Sequence, residues 1–279
     1  MTATEKRLLG LIAETSTSLS ADVVSALRRA RRAETPGSHA RAILDTILEN
    51  VAVARKTRVP LCQDTGTLSF FVPETLRRTV TPDAIRHAVE AATAQGFLRQ
   101  NTIDSVTGRS HPSNVCPGAP CIYFDDTPGT SVSLLMKGGG SENMSAQYSL
   151  PDASLGAGRD LDGVRKAVLH AVCKAQGFGC APGILGVCIG GDRAGGFACA
   201  KRQLLRPVGA KGKNPDKALA KLEKMILEEA NTLGIGPMGL GGKTTLIDVK
   251  IGALPRVPAS FFVTVAYMCW ALRRGSVEF

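Results

Sequence analysis

Three of the eight cysteines in this 279-residue chain stand on turns in company that suggests chemistry. They lie in Pro60-Leu61-Cys62-Gln63-Asp64-Thr65-Gly66, in Gly179-Cys180-Ala181-Pro182 and in Tyr267-Met268-Cys269-Trp270. A cysteine on a turn bounded by proline or glycine lifts its sulfur off the packed core and leaves neighbouring amide protons free for a thiolate or a cluster sulfide. Taken singly, each such turn is a weak signal, because buried cysteines are common. A fourth segment, Lys137-Gly138-Gly139-Gly140-Ser141-Glu142-Asn143, sets a cation beside backbone that can approach a ligand closely, with amides free for carboxylate oxygens. Its plain structural reading is a bulge or loop.

Two rival motifs are weaker. Cys116-Pro117-Gly118-Ala119-Pro120-Cys121 could be half a zinc site, but His111 is the only nearby histidine and no CxxC follows downstream. Gly239-Leu240-Gly241-Gly242-Lys243-Thr244-Thr245 invites a phosphate-loop reading, yet Pro237 stands where that pattern requires glycine. A tight turn that binds a carboxylate, or a purely structural turn, fits it better. Cys173, on a helical stretch, and Cys188 and Cys199, in apolar runs, read as small buried hydrophobes.

The elements that must position these residues form a mixed α/β pattern. Residues 1–56 read as mostly helical, with Ile43, Leu44, Ile47, Leu48 and Val51 on one face and Pro60 ending the last helix. Thr81-Pro82-Asp83 opens another helix with a cap and a proline in its first turn, its stripe being Ile85, Ala88, Val89 and Ala92. A Gly/Pro/Ser-rich loop from Ser105 leads into strands at Cys121–Phe124 and Ser131–Met136. Helix is expected over Leu161–Gln176, a buried strand over Gly183–Ile189, and a long helix capped by Asn214-Pro215 with stripe Leu219, Leu222, Ile226 and Leu233. The last 30 residues alternate strand-like runs with Pro and Gly breaks. No repeat or linker divides the chain, so residues 1–279 read as one catalytic domain: a helical N-terminal part followed by mixed strands and helices.

Composition limits the function. At 44% hydrophobic and a mean hydropathy of +0.05, the chain can bury a sizeable core. No run reaches the roughly 18 apolar residues of a membrane span, and the start, Met1 to Arg7, lacks a signal peptide's apolar core, so no membrane role and a cytoplasmic setting are expected. Cysteines there should be reduced thiols or metal ligands. The net charge of +10 raises the question of nucleic acid, but aromatics are only 5% and the basic residues come in short pairs and triplets. A solvated face, or attraction of anionic substrates, explains the charge, and no nucleic-acid partner is expected.

Taken together and in order, PxCQDTG, KGGGSEN, CxP followed by GVxIGG, IGPMGLGGKT and CWALRR closely resemble the α (catalytic) part of the class I fumarase and L-tartrate dehydratase family of 4Fe-4S hydro-lyases, from about Ile43 to Arg274. The resemblance implies a 4Fe-4S cluster held by Cys62, Cys180 and Cys269, the fourth iron being left open for substrate. It further implies that Asp64 is an acid/base near the leaving hydroxyl, that Gln63 contacts substrate, and that Arg99 and the backbone at Gly140, with the nearby Lys137, hold the carboxylates of a small dicarboxylate. Without that context Asp64 would read as a helix cap and Arg99 as a surface residue. Reversible hydration of fumarate to malate is the leading activity. L(+)-tartrate dehydration, mesaconate-type hydration and, from another class, a noncatalytic redox-sensing iron-sulfur protein are the alternatives. Two positions depart from the family pattern: Thr107 to Asn114 replace its usual NTG loop, and Val257 stands where a histidine is common. Larger one-chain relatives continue into a swivelling domain that carries the base and further arginines. A separate β subunit is therefore expected here, in a heterotetramer of two α and two β chains.

Overall fold

The chain folds in the order α1 (Ala3–Thr17), α2 (Ala21–Ala33), α3 (His39–Thr57), β1 (Thr67–Pro73), α4 (Pro82–Ala94), β2 (Cys121–Asp125), β3 (Ser131–Lys137), α5 (Gly139–Asn143), β4 (Ala146–Ser149), α6 (Leu161–Ala175), β5 (Gly183–Gly190), α7 (Arg193–Gln203), α8 (Lys217–Thr232), β6 (Leu246–Leu254), β7 (Phe262–Met268) and β8 (Arg273–Glu278). This is a computed structural model, and it describes residues 1–126 and 128–279. The fold is mixed α/β, as the sequence pattern predicts. The chain divides into two compact units that are both discontinuous in sequence: residues 1–20, 49–139 and 271–279 form one, and residues 21–48 and 140–270 the other.

In the first unit, β1 lies between a parallel neighbour, β2, and an antiparallel one, β3, and β8 completes a four-stranded sheet in the order β2-β1-β3-β8. Alternation along β1 sends Leu68, Phe70 and Val72 to one face, where they meet Leu8, Leu11 and Ile12 of α1 and Ile85, Val89 and Ala92 of α4. The expected start of α4 is correct in detail: the Thr81 side chain accepts from the Ala84 N–H, and Pro82 occupies the first turn.

The second unit is built on the order β4-β7-β5-β6, with β5 parallel to β6 and antiparallel to β7. Every residue of β5 is buried because helices cover both its faces. Leu185, Val187 and Ile189 face α6 and α8. On the opposite face a Cβ at Gly186 would come 2.1 Å from the Ala200 carbonyl oxygen, so α7 packs directly on glycine backbone there.

Two expected details give way. The cap of α8 is Asp216, whose carboxylate accepts from the Ala218 and Leu219 N–H groups; Asn214 turns inward and donates to Glu223 and to the Ile251 carbonyl. Leu233 is 41% exposed at the end of that helix, whereas Glu223, nearer its start, is buried and bonded to Arg206, Asn214 and the Ile251 N–H. A buried carboxylate with this many donors breaks the apolar stripe without an unpaired charge.

Candidate active site

Asp64 sits on the loop between α3 and β1, and both ends of that loop are tied down within the first unit. The Leu61 N–H donates to the Ser16 carbonyl, and the Asn50 amide donates to the Leu61 carbonyl. At the far end Gly66 adopts φ +72°, and a Cβ there would lie 2.3 Å from the Lys137 carbonyl oxygen, so only glycine lets the loop pass so close to the end of β3. The Asp64 carboxylate is gripped on both oxygens: Asn101 Nδ2 donates to Oδ1 at 3.0 Å, and the Gly139 N–H donates to Oδ2 at 2.7 Å. Its own N–H points at Cys62 Sγ, 3.5 Å away. Thus the loop aims a carboxylate and holds a sulfur with an amide proton at once. The cavity beside it, about 420 Å³, is lined by Asp64, Asn101, Thr102, Asn114, Cys121 and Gly139 among others.

Gln63 and Arg99 are exposed, and the Arg99 backbone carbonyl accepts from Thr65 Oγ1 at 2.5 Å and Asn114 Nδ2 at 3.1 Å. Lys137 is fully buried at the end of β3, and Arg273 is 1% exposed, so two basic side chains lie inside the unit. A side chain grown at Gly138 would lie 2.8 Å from Asp64 Oδ2 and 3.9 Å from an Arg273 terminal nitrogen, which sets a guanidinium near the carboxylate.

In the second unit, antiparallel pairing puts Ile184 of β5 opposite Met268 of β7. The residues just outside these strands therefore meet: the Trp270 N–H donates to the Cys180 carbonyl at 3.2 Å, bringing Cys180 and Cys269 to one end of the sheet. Cys180 has φ +55° and is exposed; Cys269 is half-buried. Beneath them Tyr267 packs its ring so closely that a Cβ at Gly179 would be 2.3 Å from it. Burial pushes the Tyr267 hydroxyl pKa upward, and the nearby charges of Cys269 and Cys180 add to the shift. Among the described residues its buried oxygen has no hydrogen-bond partner.

These features suit an iron-sulfur centre. Each unit offers soft thiols on turns: in the first Cys62 receives an amide proton, and in the second a hydroxyl with no hydrogen-bond partner among the described residues lies close to Cys180 and Cys269. Among the described residues no three His, Cys, Asp or Glu converge so as to hold a single metal ion. Of the remaining cysteines, Cys188 is buried as expected, while Cys199 is half-buried and Cys173 is exposed on α6, so Cys173 is not the small buried hydrophobe its helical setting suggested. A hydrogen bond with Cys199, together with burial, pushes the Cys188 thiol up, and Cys121 donates to the Gly118 carbonyl.

The glycine-rich Gly241-Gly242-Lys243-Thr244 turn does bind a carboxylate, and it is the chain's own. Buried Glu34 accepts from the Lys243 N–H with both oxygens and from the Thr244 N–H at 2.8 Å. Glu142 of the KGGGSEN segment pairs with Lys201, and Gly140 is exposed. Val257 is 66% exposed on a loop whose carbonyls are held by Arg159 and Arg256. His87 pairs with Glu5, and His170 with Tyr148. Sequence reasoning gave no role to Asn101, Asn114 or Glu34; a polar side chain whose partner is remote in sequence leaves no periodic signal.

Residues 5–278 match the family model described as fumarate hydratase (fumerase). Over 96% of its length the chain is 48% identical to a protein named as a class I fumarate hydratase in Geobacillus stearothermophilus, and it spans 53% of that protein. A protein named as an L(+)-tartrate dehydratase α subunit in Methanocaldococcus jannaschii is 34% identical over 95% of this chain and 93% of its own length. The L(+)-tartrate dehydratase α subunit of Escherichia coli is 32% identical over 94% of this chain and 86% of its own. With these matches covering nearly the whole chain, the protein belongs to the fumarate hydratase (fumerase) family.

Proposed function

We propose that the chain is the α-type catalytic part of a 4Fe-4S hydro-lyase that interconverts malate and fumarate, with Cys62, Cys180 and Cys269 as the cluster's ligands. The observation that carries this reading is the doubly gripped Asp64 carboxylate two residues from Cys62, whose sulfur receives the Asp64 N–H. When bound, the cluster supplies an open iron that polarises the substrate's hydroxyl and neighbouring carboxylate.

The residues of this chain do the rest. In dehydration a proton leaves the carbon beside a carboxylate and hydroxide leaves the next carbon, so the products are fumarate and water. Asp64 gives a proton to the departing hydroxyl, and in hydration it takes one from water. Gln63 bonds the substrate, while Arg99 and the Gly140 backbone hold the carboxylate whose negative charge grows as the proton is removed. Lys137, being buried, contributes as a fixed positive charge under the loop. The proton-abstracting base comes from a separate β subunit with a swivelling domain, in an assembly of two α and two β chains. The relatives of similar length are named as α subunits, which supports a β partner. One catalytic domain over residues 1–279 and a reducing cytoplasmic setting complete the reading; all eight cysteines are free thiols, which fits that setting.

The same relatives favour L(+)-tartrate dehydration as the second reading. Anaerobic co-purification of this chain with its β partner, followed by assay with fumarate, malate, L(+)-tartrate and mesaconate, tests both. The expected result is brown protein that hydrates fumarate fastest and bleaches in air. A colourless, iron-free and fully active enzyme would overturn the cluster, and preference for tartrate would overturn the substrate.

A further inference from the structure

Asn101 is exposed, so it does no core packing, yet its side-chain amide is spent on Asp64 Oδ1. Its position is set from below. Asn114, 2% exposed, accepts at Oδ1 from the Asn101 N–H (3.2 Å) and Thr102 Oγ1 (3.2 Å), and donates from Nδ2 to Thr93 Oγ1 (3.1 Å) and the Arg99 carbonyl (3.1 Å). Two bonds accepted and two donated use the full capacity of the amide, which no other side chain of that size offers. A buried, fully bonded amide is a rigid anchor. Through Thr93 it ties the segment carrying Arg99 and Asn101 to α4.

We propose that Asn101 is a positioning residue for the hydro-lyase reaction: it locks the rotation of the Asp64 carboxylate, with Asn114 fixing where Asn101 stands. With the Gly139 N–H on one oxygen only, the carboxylate would pivot about that bond. The second donor removes this freedom, and with one donor on each oxygen the carboxylate keeps accepting capacity beside the cavity that Asp64 lines. The inference rests on the acid/base role of Asp64.

The test compares Asn101→Ala, Asn101→Asp, Asp64→Asn and the Asp64→Asn/Asn101→Ala double variant in the anaerobically purified full assembly. Readouts are kcat, KM for fumarate, iron and labile sulfide per chain, and thermal midpoint. Losing one hydrogen bond to a charged group should lower kcat about 10- to 100-fold in Asn101→Ala. KM, iron content and midpoint should stay unchanged. Asn101→Asp, which sets a like charge against Asp64, should be worse. In the Asp64→Asn background the Asn101→Ala change should cost nothing further, because Asn101 acts only through Asp64. Full activity of Asp64→Asn would overturn the role of Asp64 itself, and the positioning with it. An inactive Asp64→Asn beside an Asn101→Ala enzyme within about twofold of normal kcat would overturn the positioning alone, as would equal losses in both backgrounds. A fall in iron content with kcat would assign Asn101 to cluster retention instead and sink the proposal.

Discussion

The loop around Cys62 and the pair of turns around Cys180 and Cys269 solve different problems with different materials. The first, in the unit built on β2-β1-β3-β8, is held by polar side chains: Asn50, Asn101, Asn114 and Thr65 each donate a hydrogen bond to it or to the segment beside it. In the other unit the turns are held by backbone bonds, among them Cys180 N–H to the Gly177 carbonyl and Trp270 N–H to the Cys180 carbonyl, by glycine and by an aromatic ring pressed on that glycine. A carboxylate that must point in one direction needs donors on its oxygens. A thiolate ligand needs exposure and backbone placement, which steric packing can supply. The first region should therefore fail by misdirecting a group, and the second by losing what it holds.

The largest effects should come from the thiols. Single Cys62→Ser, Cys180→Ser and Cys269→Ser changes should each abolish stable cluster binding and activity, read as iron and sulfide per chain, whereas Cys173→Ser, on the exposed side of α6, should leave both unchanged. Retention of a full cluster by any of the first three would remove that residue from the ligand set.

A pair of glycine substitutions sharpens the contrast. Gly66→Ala places a side chain at φ +72°, a strain of about 1–3 kcal/mol, and pushes on the backbone that leads to the Gly139 donor. It should lower kcat while the cluster is retained. Gly179→Ala drives a methyl into the Tyr267 ring, an overpacking cost of roughly 1–3 kcal/mol, and should lower cluster content first. Identical behaviour of the two variants would erase the distinction between the regions.

Val257→His is milder. The position is 66% exposed, so the thermal midpoint should move little, within about 0.5 kcal/mol of stability. An imidazole facing the substrate should change the kcat/KM ratios among fumarate, mesaconate and tartrate by about tenfold, the lower end for one added hydrogen bond to a charged group. Unchanged ratios would show that Val257 faces away from the substrate.

The smallest effect concerns the His87–Glu5 pair, 3.0 Å apart on α4 and α1. The hydrogen bond with Glu5 raises the His87 pKa above 6.5, and the bond with His87 lowers that of Glu5 below 4.5. The histidine's contribution is complete below 6.5 and fades as pH rises through its raised value. The glutamate's is complete above 4.5 and fades as pH falls through its lowered value. A small midpoint difference between the native chain and His87→Ala should thus appear between these limits and vanish at alkaline pH; a difference that persists there would assign it to packing.

Local signals in the sequence were enough for the elements. The apolar period of α4 with its Thr81 cap, the buried run of β5 and the breaks between the last strands are each read within a few residues, because propensity and periodicity act at short range. The turns bearing Cys62, Cys180 and Cys269 were visible in the same way, as was a glycine-rich turn suited to a carboxylate. The partners were not. Asp64 takes its two donors from residues 37 and 75 positions away, and the glycine-rich turn is filled by Glu34, 209 positions from Lys243. Cys180 meets the residue after Cys269 only because β5 and β7 pair antiparallel with Ile184 against Met268. A hydrogen bond depends on position and direction to within a fraction of an ångström, and strand register and sheet order set these at such separations. Residue identity thus determined which groups could do chemistry, and the tertiary fold decided which of them are aimed, held or already occupied.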